Sequence, residues 1–241
     1  MTITLRDARG PEGIVVYAIG DIHGRLDLLT KMHETIARDR SSRKAADWRV
    51  VHLGDYIDRG PDTRGVIDFL TAALAADKRM ITLAGNHDAG LLEFLREPTK
   101  SIVFTDHGGD RTMQSYGVHL DPRSLADGRD ALARVLPESH LRFLQDLKLW
   151  VEFGDFFFCH AGIRPGVPLE MQDPRDLMWI RQEFLNHRGL HDKIIVHGHT
   201  PSPHAEMMDN RVNVDTAAFQ TGRLTALVID GSEKQILTVQ G

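Results

Sequence analysis

Cysteine is nearly absent. Cys159 is the single one in 241 residues, so no intrachain disulfide can form, and a reducing compartment such as the cytoplasm suits the chain. Long apolar runs are missing as well, and none approaches the ~20 residues that span a bilayer. The opening stretch, MTITLRDARGPEG, lacks the charged-then-apolar layout of a secretory leader. There is no basic excess: 29 Lys and Arg stand against 34 Asp and Glu, a net charge of −5. With a pI near 6.2, no electrostatic footprint points to nucleic acid or to an anionic membrane surface. Repeats, low-complexity tracts and linkers are lacking too, so one domain over residues 1–241 is expected.

Histidine is what the chain has in plenty, with 13 residues, several just after apolar runs. One grammar occurs three times: apolar strand, glycine, then polar donors. Ile14–Ile19 runs into Gly20-Asp21-Ile22-His23-Gly24, and Val50-Val51-His52-Leu53 into Gly54-Asp55-Tyr56-Ile57-Asp58-Arg59-Gly60. Met80–Ala84 runs into Gly85-Asn86-His87-Asp88. Asp21 and Asp55 are 34 residues apart, Asp55 and Asn86 31 apart, close to the ~30 residues of a strand–helix–strand unit. Three neighbouring parallel strands would therefore bring these ends together. Two later apolar runs finish similarly, in Cys159-His160-Ala161-Gly162 and in His197-Gly198-His199-Thr200.

The rest of the pattern predicts an α/β fold. Strands are expected at 14–19, 48–53 and 80–84, with helices from Leu26 to Arg38, from Pro61-Asp62 to about Ala76, and at 88–96. A polar stretch, Ser41-Ser42-Arg43-Lys44, leads into the second strand. Residues 98–147 break the strand rhythm and read as a helical insertion beside the site, with helices within Gly108–Gly117, over Leu125–Val135 and over Pro137–Leu147. A hairpin at Gly154-Asp155 joins strands 149–153 and 155–159. A helix at 175–187 and a strand at 193–197 follow, then tail strands at 211–214, 224–229 and 235–239. Trp150 and Trp179 are expected in the core. His33, His119, His140, His187, His191 and His204 are expected at the surface.

Asp21, His23, Asp55, Asn86, His160 and His199 offer oxygen and nitrogen donors suited to manganese, iron or zinc and wrong for a thiolate site. Singly, each reads equally well as a cap or a packed side chain. Together they exceed one tetrahedral ion and fit two ions ~3.5–4 Å apart with a bridging carboxylate, the arrangement that drives hydrolysis at phosphorus. Such a pair would acidify a shared water to hydroxide and polarise the phosphoryl oxygen it attacks. His197 competes with His199 for one role. Cys159, in a buried strand, reads as an inert thiol. The Gly108-Gly109 segment with His107 and Arg111 reads as groove lining or as a helix cap.

GDIHG, GDYIDRG, GNHD, HAG and GHT, in this order between residues 20 and 200, resemble the phosphoprotein phosphatase branch of the calcineurin-like metallophosphoesterases. The ending VNVDTAAFQTGRLTALVID resembles its bacterial and phage members. The resemblance implies two mixed β-sheets sandwiched by helices, two divalent ions with manganese foremost, and a phosphoserine- or phosphothreonine-bearing protein or peptide as substrate. It implies that Asp21 and His23 hold one metal, Asp55 bridges, and Asn86, His160 and His199 hold the other. His87 matches the general acid and Asp58 the carboxylate that orients it. Arg59, and Arg181 in Met178-Trp179-Ile180-Arg181, match the phosphate clamp. Two features depart from the pattern. Asp88 stands where eukaryotic members usually carry Glu, and GNHD also occurs in symmetrical dinucleoside tetraphosphatases, which generally lack an acid at the Asp58 position. A nucleotide polyphosphate is thus the alternative substrate, and a non-catalytic scaffold a third reading.

Overall fold

The computed structural model describes residues 2–43 and 45–241; Lys44, in the polar stretch before the second strand, lies outside them. Five strands form the first sheet, in the order β10-β9-β1-β2-β3. These are β1 (Ile14–Ile19), β2 (Asp47–His52), β3 (Met80–Thr82), β9 (Arg223–Asp230) and β10 (Glu233–Gln240). β1 runs parallel to β2, with Ile19 opposite His52, and β2 parallel to β3. β9 closes antiparallel on β1. The second sheet runs β4-β5-β6-β8-β7, built from β4 (Trp150–Phe153), β5 (Phe156–Cys159), β6 (Ile194–His197), β7 (Glu206–Met207) and β8 (Arg211–Asn213). Both sheets are mixed, as expected.

Strand alternation fixes how the layers stack, because successive side chains point to opposite faces. Phe156 and Phe158 join Val16, Ala18, Val51 and Val196 in a core between the sheets. Phe157 and Cys159, from the same strand, face outward onto Leu177 and Phe184. Over the far face of the first sheet lie α1 (Leu26–Ser42) and α2 (Thr63–Ala76), whose buried stripes include Leu28, Leu29, Met32, Val66, Ile67 and Leu70. Asp62 caps α2, its Oδ1 accepting from Gly65 N at 2.8 Å.

α3 (Asn86–Arg96) begins two residues earlier than its apolar pattern predicted, so Asn86 and His87 sit in its first turn. β3 stops at Thr82, short of the expected Ala84, because Leu83 and Ala84 turn to Lys148: Leu83 bridges it, and Ala84 N donates to Lys148 O at 2.7 Å. That switch ties the two sheets together beside the Gly85 turn. Residues 98–147 hold four helices where three were expected: α4 (Ile102–Asp106), α5 (Gly109–Ser115), α6 (Leu125–Val135) and α7 (Glu138–Gln145). The helix expected at 175–187 is broken into α8 (Pro174–Trp179) and α9 (Gln182–Leu185). Arg181 leaves helical geometry between them, with φ −133° and ψ −92°. The last helix, α10, covers Ala218–Thr221.

Some packing expectations are corrected. Trp150 is 37% exposed and Trp179 42%, so neither is a core residue; Trp150 sits at the sheet edge stacked on Phe157. His140 and His191 are buried, not surface. His140 is tied to Tyr116 Oη at 2.7 Å and to Asp68 at 2.8 Å. His33 is half-buried and stacks on His52.

Candidate metal centre

The turns after β1, β2, β3, β5 and β6 meet at one edge of the two sheets, and Asp55 is at their middle. Gly54 makes this possible. Its φ is +110°, and a Cβ there would lie 2.6 Å from Gly85 N and 2.9 Å from His160 Nδ1. Asp55 Oδ1 accepts from His87 N at 3.0 Å. Asp55 Oδ2 stands 3.5 Å from His23 Nε2 and 3.5 Å from His160 Nε2. One oxygen is thus anchored while the other is offered between two imidazoles.

Both imidazoles are aimed by backbone carbonyls. His23 Nδ1 lies 2.7 Å from Ile57 O and His160 Nδ1 2.9 Å from Leu53 O. A carbonyl only accepts, so each Nδ1 carries the hydrogen and each Nε2 faces the centre. His160 Nε2 also lies 3.1 Å from Asn86 Oδ1, an arrangement of acceptors that calls for a cation or a second proton among them. Burial works against that proton, but the carboxylates of Asp55 and Asp21 push His160 up to about 10. Conversely, burial would raise Asp55, yet His160 and His87 hold it well below the usual carboxylate range. Asp21 is driven well above that range by burial and by the charge of Asp215. Asp21 binds back to the second sheet, its oxygens 3.1 and 3.2 Å from His199 N.

The ligand atoms of Asp55, His160 and His199 lie within 4.8 Å of one another, and so do those of His23, Asp55 and His87. His87, a residue singled out as a proton donor, thus completes the second cluster where Asp21 was expected. His87 Nδ1 is 2.7 Å from Asp58 Oδ2, and Asp58 Oδ1 accepts from Thr112 Oγ1 at 2.7 Å. Arg59 Nη1 donates to His23 Nε2 at 3.0 Å and Nη2 to His87 Nε2 at 2.8 Å. Arg181 Nε donates to His199 Nε2 at 3.0 Å, which the break between α8 and α9 allows. All ten residues singled out from the sequence therefore converge.

His197 has a different environment, with its edge on Phe184 and Nδ1 3.0 Å from Gly198 O. Cys159 donates its thiol to Gly162 O at 3.3 Å, and burial drives the thiol pKa far up. Three contributors went unassigned from sequence. Asp88 accepts from the amides of Asp55, Gly85 and Tyr56 at 2.8, 2.9 and 3.1 Å, fixing the turn that carries Asp55. Thr112 orients Asp58 from the helical segment, and only the unassigned Gly108-Gly109 stretch pointed there. Asp215 lies in the quoted tail motif, where burial raises it to about 6.

Five aspartates (21, 55, 58, 88 and 215) are buried here with four histidines (23, 87, 160 and 199). Buried carboxylates in such number need positive charge, and oxygen with imidazole nitrogen is a donor set that borderline divalent cations accept. The residues present fit a divalent metal.

Such a centre, at strand ends between two mixed sheets, defines a metal-dependent phosphoesterase. The model of the calcineurin-like phosphoesterase family matches residues 14–229, and the chain belongs to that family. Similar proteins include the asymmetrical bis(5'-nucleosyl)-tetraphosphatase PrpE of Anoxybacillus flavithermus, 26% identical over 228 residues, 87% of this chain and 88% of that one. Serine/threonine-protein phosphatase 1 of Salmonella typhimurium is 27% identical over 215 residues, 87% and 89% of the two chains. Among solved structures, one assigned provisionally as a diadenosine tetraphosphatase superposes with a TM-score of 0.66 at 24% identity, covering 96% of each chain. A Saccharomyces cerevisiae protein serine/threonine phosphatase gives 0.53 at 14%, covering 95% of this chain and 80% of that one. The chain is a hydrolase of the metallophosphoesterase class. Among the described residues, no helix is long and apolar enough to cross a membrane.

Proposed function

We propose that this chain hydrolyses phosphomonoesters on phosphoserine or phosphothreonine side chains of proteins. The observation that carries the reading is Asp55 Oδ2 held 3.5 Å from both His23 Nε2 and His160 Nε2, beside a His87–Asp58 pair at 2.7 Å. Asp21 and His23 would hold one divalent ion, Asn86, His160 and His199 another, with Asp55 between them. When bound, the cations supply the charge that makes a water acidic enough to attack phosphorus at neutral pH.

The chain's own residues do the rest. Arg59 and Arg181 grip the phosphoryl oxygens and stabilise charge as it builds. Asp58, held by Thr112, orients His87 so that Nε2 faces the leaving oxygen and delivers its proton there. Burial and the Arg59 cation push His87 down to about 4 despite the opposing pull of Asp55. A phosphate dianion seated between Arg59 and His87 favours the protonated form of His87.

Hydrolysis of dinucleoside polyphosphates is the second reading, favoured by the names of the PrpE relatives. The same metals and clamp would serve it. To decide, metal is removed with chelator, manganese restored, and a phosphopeptide compared with diadenosine tetraphosphate at equal enzyme. Higher kcat/KM on the phosphopeptide is expected. A preference of about tenfold for the dinucleotide would reject the protein-phosphatase reading.

A further inference from the structure

Left-handed backbone crowds Cβ against the following carbonyl and is uncommon outside glycine. Among the described residues, six non-glycine positions adopt it: His23, Asp55, Asp58, Arg59, His199 and Ala217. The first five belong to the centre described above. Ala217 is the sixth, and strained backbone persists only where surrounding contacts over-determine it. Ala217 N donates to Asp215 Oδ1 at 2.8 Å, Thr221 Oγ1 donates to Ala217 O at 3.1 Å, and Arg25 Nη1 donates to Ala218 O at 2.8 Å.

What this turn delivers is Phe219. Its ring stands 4.9 Å beneath the Arg59 guanidinium carbon. The same ring meets His23 at 5.4 Å, nearly perpendicular. Phe219 is half-buried, whereas its neighbour Ala218 belongs to the core. On the other flank Gly108 O accepts from Arg59 N at 3.1 Å, and a Cβ on Gly108 would lie 2.7 Å from Arg59 Cγ. Arg59 is therefore seated between the Gly108 turn and an aromatic face. A guanidinium is attracted to the face of a ring and keeps its in-plane N–H groups free. Here those groups point at His23 and His87.

We infer that Phe219 is a positioning residue: its ring holds the Arg59 guanidinium so that the two Nη groups present a fork to the substrate phosphoryl group. The inference rests on reading Arg59 as the phosphate grip. Manganese-loaded native enzyme is compared with F219L, F219Y, R59A and the R59A/F219L double variant. The readouts are KM and kcat for p-nitrophenyl phosphate, the competitive inhibition constant of inorganic phosphate, and metal per chain. F219L should raise KM and the phosphate constant by about three- to tenfold with metal content unchanged, and F219Y should restore both. In the R59A background F219L should add no further loss, because the two residues act as one unit. Native phosphate affinity in F219L, or an equal added loss in the R59A background, would overturn the inference. If F219L does not fold, F219M carries the same two outcomes. Unchanged phosphate affinity in R59A would instead remove the phosphate grip itself, and the proposed function with it.

Discussion

His52 and His160 are enclosed to the same degree, both fully buried, one closing β2 and the other just after β5. His52 is pushed down to about 3 by burial and by His33 beside it, whereas His160 is held up at about 10. His52 Nδ1 faces Ile81 O at 3.0 Å and its Nε2 meets His33 Nε2 at 3.0 Å. Burial keeps both rings neutral, with His33 pushed down to about 4; since Nδ1 of a neutral His52 must donate to the carbonyl, its Nε2 accepts and His33 Nε2 donates. Around His160 the neighbours are carboxylates. Burial alone makes a histidine a neutral packing group; burial beside uncompensated aspartates makes it part of a site that demands cations.

Removing the carboxylate that distinguishes the two cases should have the largest effect. Asp55→Asn should lower metal per chain, read by elemental analysis, and reduce kcat on the order of 10³-fold; full retention of metal would refute a bridging role. His87→Asn should cost ~10²–10⁴ in turnover while metal content stays intact, and unchanged turnover would remove His87 from proton transfer. Thr112→Val removes the hydroxyl donor from Asp58 Oδ1, and kcat should fall about tenfold through misorientation of His87. An effect on KM alone would show that the helical segment acts by binding.

The smallest effect on turnover tests the neutral pair. Burial pushes His52 down to about 3 and His33 down to about 4, below the ordinary imidazole value of 6.5. The unfolded chain therefore takes up their protons first. Their neutral-state stability is fully present above pH 6.5 and is lost as pH falls toward 4. Calorimetry between pH 7 and pH 5 should show a loss of about 2 kcal/mol for each of the two rings. His33→Gln, whose amide can still donate to His52, should flatten that slope; an unchanged slope would place the acid sensitivity wholly in the metal centre.

Much of the centre was legible because the first half of the chain is a run of strand–helix–strand units. There, Asp21, His23, Asp55, Asp58, Arg59, Asn86 and His87 repeat at a spacing the fold geometry imposes. His160 and His199 come from another sheet, and only the order of the motifs tied them to the others. Thr112 and Phe219 were not legible. Their contacts with Asp58 and Arg59 span 54 and 160 residues, and no local periodicity encodes a partner so distant. Trp179 shows the opposite failure: its apolar surface predicted the core, but a broken helix places it at the rim, 6.3 Å from the His199 ring.

From the chain alone came the donors themselves, because a residue's chemistry and its place after an apolar run are local properties. Whether a given histidine ends as a cation's partner or as neutral filling was settled only by the packed structure. Desolvation and charge depend on what lies within a few ångströms, and in this molecule those neighbours arrive from two sheets and a helical segment.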